Sequence, residues 1–349
     1  MSTIHPQPGD KVLWIRFGAF GDVLQAAAAA HRFKMKYPGV RLTFLTQPDY
    51  AGILKIQPYI DGLLSWDITR YPLDFFGVVR QIRAAGFKWL FSLHRGGGSA
   101  FVALCGGIPQ RFGYNRMMQF CYKATHWEGL HLLGVEFMKR DKTSIFAAPE
   151  DKNKARAMLS GLPDKKFFAV IGAGKPHKIW PAQNWIEFLP RLLAEGWGIV
   201  LNGHGEAEAR IAREIEEALR NPAVRNLVGQ VPFPLMAAVA EACTVAAGND
   251  TGPLHLAALS GVPTMGLFNH RTSQIMGLRM PWFRELCAED WSGGGKSGIP
   301  LENLPAESVV RAFDAFAGEF LPRAFAWRDK AATDASLSFL QNLKSEELQ

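Results

Sequence analysis

The chain is poor in cysteine and in charge, and it lacks most of the short signatures of metal or nucleophilic chemistry. Its four cysteines, Cys105, Cys121, Cys243 and Cys287, form neither a CxxC pair nor a metal-ligand spacing. That excludes a disulfide framework and a structural zinc site, and points to a reducing compartment. No Asp-x-Asp, HExxH or Gly-x-Ser-x-Gly occurs, which argues against a divalent-metal phosphoryl-transfer site and against the commonest α/β hydrolase. There is no run of 18 apolar residues, and the N-terminus lacks the charged start and apolar core of a signal peptide. Any membrane contact is therefore expected to be peripheral.

Apolar residues make up 48% of the 349, enough to bury a sizeable core, and the length fits two domains better than one. The formal charge of +7 is unevenly placed. Residues 1–150 carry 18 basic and 10 acidic side chains, whereas residues 151–349 carry 21 and 22. A basic half suits a nucleic acid, an anionic membrane or a phosphorylated substrate.

Residues 11–17 predict a buried strand, a glycine turn follows, and an Ala-rich helix runs over 23–36. Strands at 41–46 and 86–93 continue the alternation. The same rhythm restarts at 167–171 and proceeds through a helix at 183–195, a strand at 198–202 and a charged helix at 206–220. The polar stretch 141–164 reads as the boundary, giving domains over 1–155 and 156–322 and a helical tail over 323–349. A site at the carboxyl ends of the strands follows from the general habit of open parallel sheets.

Three constellations stand at such strand ends. Gly18-Ala19-Phe20-Gly21-Asp22 joins the first strand to its helix. Its glycine spacing fails the dinucleotide fingerprint, and Asp22 reads either as a helix N-cap or as a general base facing a cleft. Gly172-Ala173-Gly174-Lys175-Pro176-His177-Lys178-Ile179-Trp180-Pro181 is a glycine turn with two lysines, suited to a diphosphate, with Trp180 read as core. Gly248-Asn249-Asp250-Thr251-Gly252-Pro253, followed by His255, sets an acidic side chain beside the amides of a helix start. The P-loop look-alike at 290–298 lacks the first glycine and reads as a plain glycine loop.

In this order and spacing, the segments Arg16 to Leu24, Gly172 to Pro181 and Gly248 to Phe268 resemble glycosyltransferase family 9, whose best-known members are ADP-heptose:lipopolysaccharide heptosyltransferases. The resemblance implies a GT-B fold, two Rossmann-like α/β domains with a cleft between them, acceptor on the first and nucleotide sugar on the second. It maps the catalytic base onto Asp22 and donor contacts onto Lys178, Asp250, Thr251, Gly252 and His255, with Gly174 and Glu206 as weaker assignments. It implies an inverting, metal-independent transfer with no cofactor besides the nucleotide-sugar co-substrate, ADP-heptose. The basic N-terminal half then becomes a face for an anionic lipid-linked saccharide, with Arg16, Arg95, Arg111, Arg116 and Lys123 as acceptor contacts. It places the protein in the cytoplasm, peripherally on the inner membrane, with no nucleic acid expected. The chain departs from family habit at Ala173-Gly174, where hydroxyl residues are common, and at Asn269-His270-Arg271. The rival readings are a GT-B enzyme using another nucleotide sugar, a sugar-nucleotide epimerase, a degenerate family member and a noncatalytic nucleic-acid-binding protein.

Overall fold

The computed structural model describes residues 5–139 apart from 71 and 73, together with 141–269, 280–288 and 299–321. The glycine loop at 290–298, His270, Arg271 and the tail over 323–349 lie outside the described residues. The chain divides into two compact units, Met1–Lys139 and Arg140–Gln349.

Unit 1 is built on five parallel strands, β1 (Lys11–Ile15), β2 (Arg41–Thr46), β3 (Gly62–Ser65), β4 (Trp89–Ser92) and β5 (Gln110–Gly113), in the order β3-β2-β1-β4-β5. Helices α1 (Phe20–Lys36), α2 (Pro48–Lys55), α3 (Phe75–Ala85), α4 (Gly97–Cys105) and α5 (His126–Leu132) intervene or follow. In β1 every residue after Lys11 is buried, which is why it reads as a continuous apolar run rather than an alternating one. The small, buried Ala26 to Ala30 let α1 lie close on the sheet. Trp14, Phe33 and Phe91 fill the space between them, with ring centroids 5.0–5.7 Å apart.

Unit 2 repeats the plan. Its strands β6 (Lys166–Val170), β7 (Gly198–Asn202), β8 (Val224–Asn226), β9 (Val245–Asn249), β10 (Thr264–Phe268) and β11 (Phe283–Cys287) are parallel in the order β11-β10-β9-β6-β7-β8. Its helices are α6 (Pro149–Met158), α7 (Ala182–Ala194), α8 (Glu206–Leu219), α9 (Phe233–Glu241), α10 (Gly252–Leu259) and α11 (Ala306–Phe320). Helix α11 packs on α7 through Phe313, 5.5 Å from Phe167 and 5.6 Å from Phe188.

The units divide earlier than the boundary expected after residue 155. Residues 144–158 are bound into unit 2: the Ser144 and Ile145 amides donate to Leu259, Glu241 accepts from the Ala147 amide, and Lys152 pairs with Glu241 at 2.9 Å. Helix α6 was hidden in the polar stretch because it buries only Asp151 and Ala155, too thin a stripe for a periodic signal.

Both sheets reverse direction of winding once, between β1 and β4 in unit 1 and between β6 and β9 in unit 2. A sheet that winds both ways from its first strand splays the two flanking helices apart there, leaving a crevice outside the strand ends. The turn after each of those strands is therefore the place to look for chemistry.

Candidate functional site

On unit 1 the chain leaves β1 through Phe17 and Gly18 and enters α1 at Phe20. Asp22 is thus the third helical residue and not the N-cap expected from the sequence. Its carboxylate reaches back to accept from the Ala19 amide at 3.3 Å, the second half of a capping box. The same Asp22 oxygen accepts from the Arg16 guanidinium, whose other nitrogen donates to the Leu93 carbonyl after β4. Arg16 thereby ties the ends of β1 and β4 together across the switch point and holds Asp22 in one place, with both side chains still partly open to solvent.

Two histidines sit against this pair. His94 meets Phe17 edge-on at 5.2 Å, and burial, then the Arg16 charge, push its pKa down to about 4 against the opposing pull of Asp22. His126, buried at the start of α5, is pushed to about 4 by burial, then by Arg95 and Arg16. Both are neutral near pH 7, so the positive field around Asp22 comes from the arginines.

The other cations expected to hold an acceptor divide into two kinds. Arg95 lies over the Tyr114 ring at 5.5 Å, and its carbonyl is held by Asn115 Nδ2 at 2.7 Å. Arg116 and Lys123 line an open groove with Tyr114, Trp127 and His131. Arg111 on β5 is half-buried and also ties the chain locally: its Nε donates to the Cys121 carbonyl at 2.9 Å and another nitrogen to the Ile108 carbonyl at 2.6 Å, using two of its five donors.

On unit 2 the second switch point gathers the other two motifs. Lys178 Nζ donates to Asp250 Oδ2, and His255 Nε2 lies 3.2 Å from Asp250 Oδ1. Burial would raise the Asp250 pKa, but the hydrogen bonds and charges of His255 and Lys178 outweigh it and bring it to about 2. The Thr251 backbone is extended and Gly252 begins α10, so the first amides of that helix have no partner inside it. Asn249, which the sequence reading passed over, locks the two loops together. Its Nδ2 donates to the Ile171 carbonyl at 2.9 Å and its Oδ1 accepts from the Trp180 amide at 3.1 Å. Gly248 allows this crossing, since its φ is +145° and a Cβ there would run into the Val170 carbonyl. Trp180 is fully buried, as expected of a core residue, and donates its indole N–H to Leu304. Gly174 is exposed, and a Cβ there would meet nothing.

On α8 the expected Glu206 and its neighbour Glu208 face opposite ways. Glu206 is the first residue of the helix and exposed, whereas Glu208, about 200° further round the helix, turns back to the strand ends. Its carboxylate accepts from the His204 amide and occupies the space that a Cβ at Gly172 or Gly203 would fill. Burial raises its pKa against the His204 amide bond and the His204 charge. The two glycines, each in a turn, were the available signal for a side chain packed between them.

Each unit thus presents a carboxylate and a cation at its own switch point. Among the described residues no group of three His, Cys, Asp or Glu could hold a metal ion, and no helix is long and apolar enough to cross a membrane. Over residues 76–286 the sequence matches the family model described as glycosyltransferase family 9 (heptosyltransferase). The chain belongs to glycosyltransferase family 9. It is 35% identical over 287 residues to lipopolysaccharide heptosyltransferase 1 of Pseudomonas aeruginosa PAO1, covering 74% of this chain and 78% of that protein. It is 22% identical over 343 residues to lipopolysaccharide heptosyltransferase 3 of Escherichia coli K12, covering 87% and 97%. Its fold matches that of E. coli ADP-heptose lipopolysaccharide heptosyltransferase II with a TM-score of 0.72 at 18% identity, covering 88% and 99%. This family 9 glycosyltransferase therefore has the two-unit GT-B fold that the resemblance implied.

Proposed function

We propose that the protein transfers a heptosyl group from ADP-heptose to an anionic saccharide of the lipopolysaccharide core, with inversion and without a metal. The observation that carries the reading is the fixed Asp22 carboxylate on unit 1, matched on unit 2 by Lys178 beside the open start of α10. Asp22 takes the proton from an acceptor hydroxyl as that oxygen attacks the anomeric carbon. The bond from that carbon to the diphosphate breaks, its electron pair leaves with the phosphate oxygen, and ADP departs. A single displacement of this kind inverts the anomeric centre. Lys178 has three donors and spends one on Asp250, leaving the others for the diphosphate together with the amides of Thr251 and Gly252. Asp250 acts through Lys178 and His255, as the residue that positions both. Arg95, Arg116 and Lys123 supply charge for the acceptor. The acceptor is taken to be lipid-linked, with the enzyme in the cytoplasm and peripheral to the inner membrane.

Incubating purified protein with ADP-heptose, UDP-sugars and GDP-sugars tests this directly. Acceptor-dependent release of ADP, with an inverted anomeric proton coupling in the product, is the expected result; preferential release of UDP or GDP overturns the donor assignment. A different sugar is the second reading, favoured by the open space at Gly174 and by the lack of a hydroxyl at positions 173 and 174.

Two substitutions refine the donor site. Lys178→Ala removes a charge-assisted contact and is expected to weaken donor affinity about tenfold by calorimetry, with folding kept. An unchanged affinity takes Lys178 out of the site. Gly172→Ala displaces the Glu208 carboxylate and is expected to cost donor binding about fivefold. A crystal structure of that variant with Glu208 unmoved and affinity unchanged shows that Glu208 has no part in binding.

A further inference from the structure

The nine large apolar side chains that stand exposed among the described residues all belong to unit 1. Three are almost wholly in solvent: Met117 at 89%, Phe76 at 83% and Phe120 at 70%. Phe76 and Phe120 are linked through the packing beneath them. Phe76 on α3 contacts Phe75, Phe75 contacts Phe101 on α4, and α4 packs against the short turn Gln119–Cys121 that carries Phe120. The Arg83 guanidinium, donating to the Cys105 carbonyl at 2.6 Å, fixes α3 to the end of α4. Soluble monomers rarely leave several large apolar side chains of one unit this exposed without a use for them.

The charge around it is predominantly positive. From Phe75 to Trp127 the chain has seven Lys or Arg residues and no Asp or Glu, with exposed Asp74 and Glu128 flanking that stretch. Arg80 and Arg83 follow Phe76 at i+4 and i+7, on the same side of α3, and both are exposed. Arg116 precedes Met117, and Lys123 follows Phe120 at three residues. A second copy of this chain docking through the same face would set Arg80, Arg83, Arg116 and Lys123 largely against their own kind, with fewer carboxylates, Asp74 and Glu128 at its margins, to offset them. An anionic bilayer offers what the face lacks, negative headgroups for the cations and an apolar layer beneath for Phe76, Met117 and Phe120.

We propose that the α3, α4 and Met117 to Phe120 surface of unit 1 is a membrane-insertion face that seats the enzyme on anionic phospholipid by burying these apolar side chains, with the surrounding arginines and lysines as electrostatic guides. It rests on the reading of a lipid-linked acceptor. It goes beyond that reading in assigning the contact to specific side chains and to insertion in addition to surface charge.

The test is co-sedimentation of the full chain with vesicles of phosphatidylcholine alone or with phosphatidylglycerol added. The wild type is expected to bind the anionic vesicles and to keep measurable binding at about 0.5 M salt, where exposed charge is largely screened. The triple variant Phe76→Ser, Met117→Ser, Phe120→Ser is expected to bind at least about tenfold more weakly, since the apolar contribution is lost. Its melting temperature and its turnover on a water-soluble, deacylated acceptor stay at wild-type values. Phe120→Glu alone, a change at one exposed position, is expected to weaken binding in the same direction. Wild-type binding that is absent or that salt abolishes completely overturns the proposal, as does equal binding by the variants. So does a wild-type dimer that the triple variant converts to monomer, or an oligonucleotide that displaces the protein from vesicles at lower concentration than lipid retains it. Vesicle binding with no nucleotide released from any sugar donor leaves this surface standing and removes the transferase reading, so the two fail separately.

Discussion

Asp22→Asn is expected to lower turnover by about 10²-fold or more, the usual range for removing a general base, while leaving the fold intact. The substitution is a clean one here for structural reasons. An Asn at the third position of α1 keeps an oxygen able to accept from the Ala19 amide, so the helix start retains its reciprocal bond. Arg16 keeps its bond to the Leu93 carbonyl, which holds β1 and β4 in register at their ends. What disappears is the negative charge and the ability to take a proton. Neither neighbouring histidine is a ready substitute, because His94 and His126 are each boxed in by burial and by arginine charge. The check is steady-state kcat with saturating donor and acceptor, read beside the far-UV spectrum and melting temperature. Turnover near the wild-type value with folding unchanged reduces Asp22 to a capping residue. A second variant, Arg16→Met, separates positioning from chemistry. It leaves the base in place but frees its orientation, so kcat is expected to fall less than in Asp22→Asn and to recover in part in Arg16→Lys, which restores the charge without the fork.

How much of this was legible in the amino-acid order depends on burial. The strands β1, β6 and β9, each beside a switch point, are buried on both faces and contain unbroken apolar runs, and the three motif loops lie at their ends. Edge strands escaped notice. Gly62–Ser65 and Val224–Asn226 are short and only half-buried, and Gln110–Gly113 begins with two polar residues, so none presents a run or a clean alternation. The motif loops could be picked out because their glycines and a proline have a clear backbone reason to be there. Residues whose placement depends on packing across elements could not. Glu208 differs from Glu206 only in facing, a property of the helix phase, and Asn249 works through a backbone carbonyl and an amide 78 and 69 residues away in sequence. Arg111 reads only as surface charge, and its two bonds to the Ile108 and Cys121 carbonyls are equally invisible in the sequence.

Asp250→Ala is expected to be the most damaging single change on unit 2, costing about 3 kcal/mol of stability and abolishing productive donor binding. The carboxylate is buried and answers two partners at once, Lys178 and His255. Removing it leaves the part-buried Lys178 ammonium without this counter-charge and takes one hydrogen bond from the buried His255 ring, and that uncompensated burial is a larger cost than the lost pair itself. The native pKa supports a contribution of this order. Lowered in the fold from 3.8 to about 2, it is worth about 2 kcal/mol by linkage. The sign is that of a depressed carboxylate. The stabilisation is fully present above about pH 4 and drains away as pH falls towards 2, so acid titration of the wild type should show a loss in that window that Asp250→Ala does not. Chemical denaturation at pH 7 and at pH 3 measures both. Pairing the change with Lys178→Met removes one stranded cation and is expected to restore about 1 kcal/mol, with no return of turnover, because the diphosphate then lacks its lysine as well. If Asp250→Ala matches the wild type within about 0.5 kcal/mol at pH 7, the cluster is solvent-relaxed and its three residues meet without depending on one another.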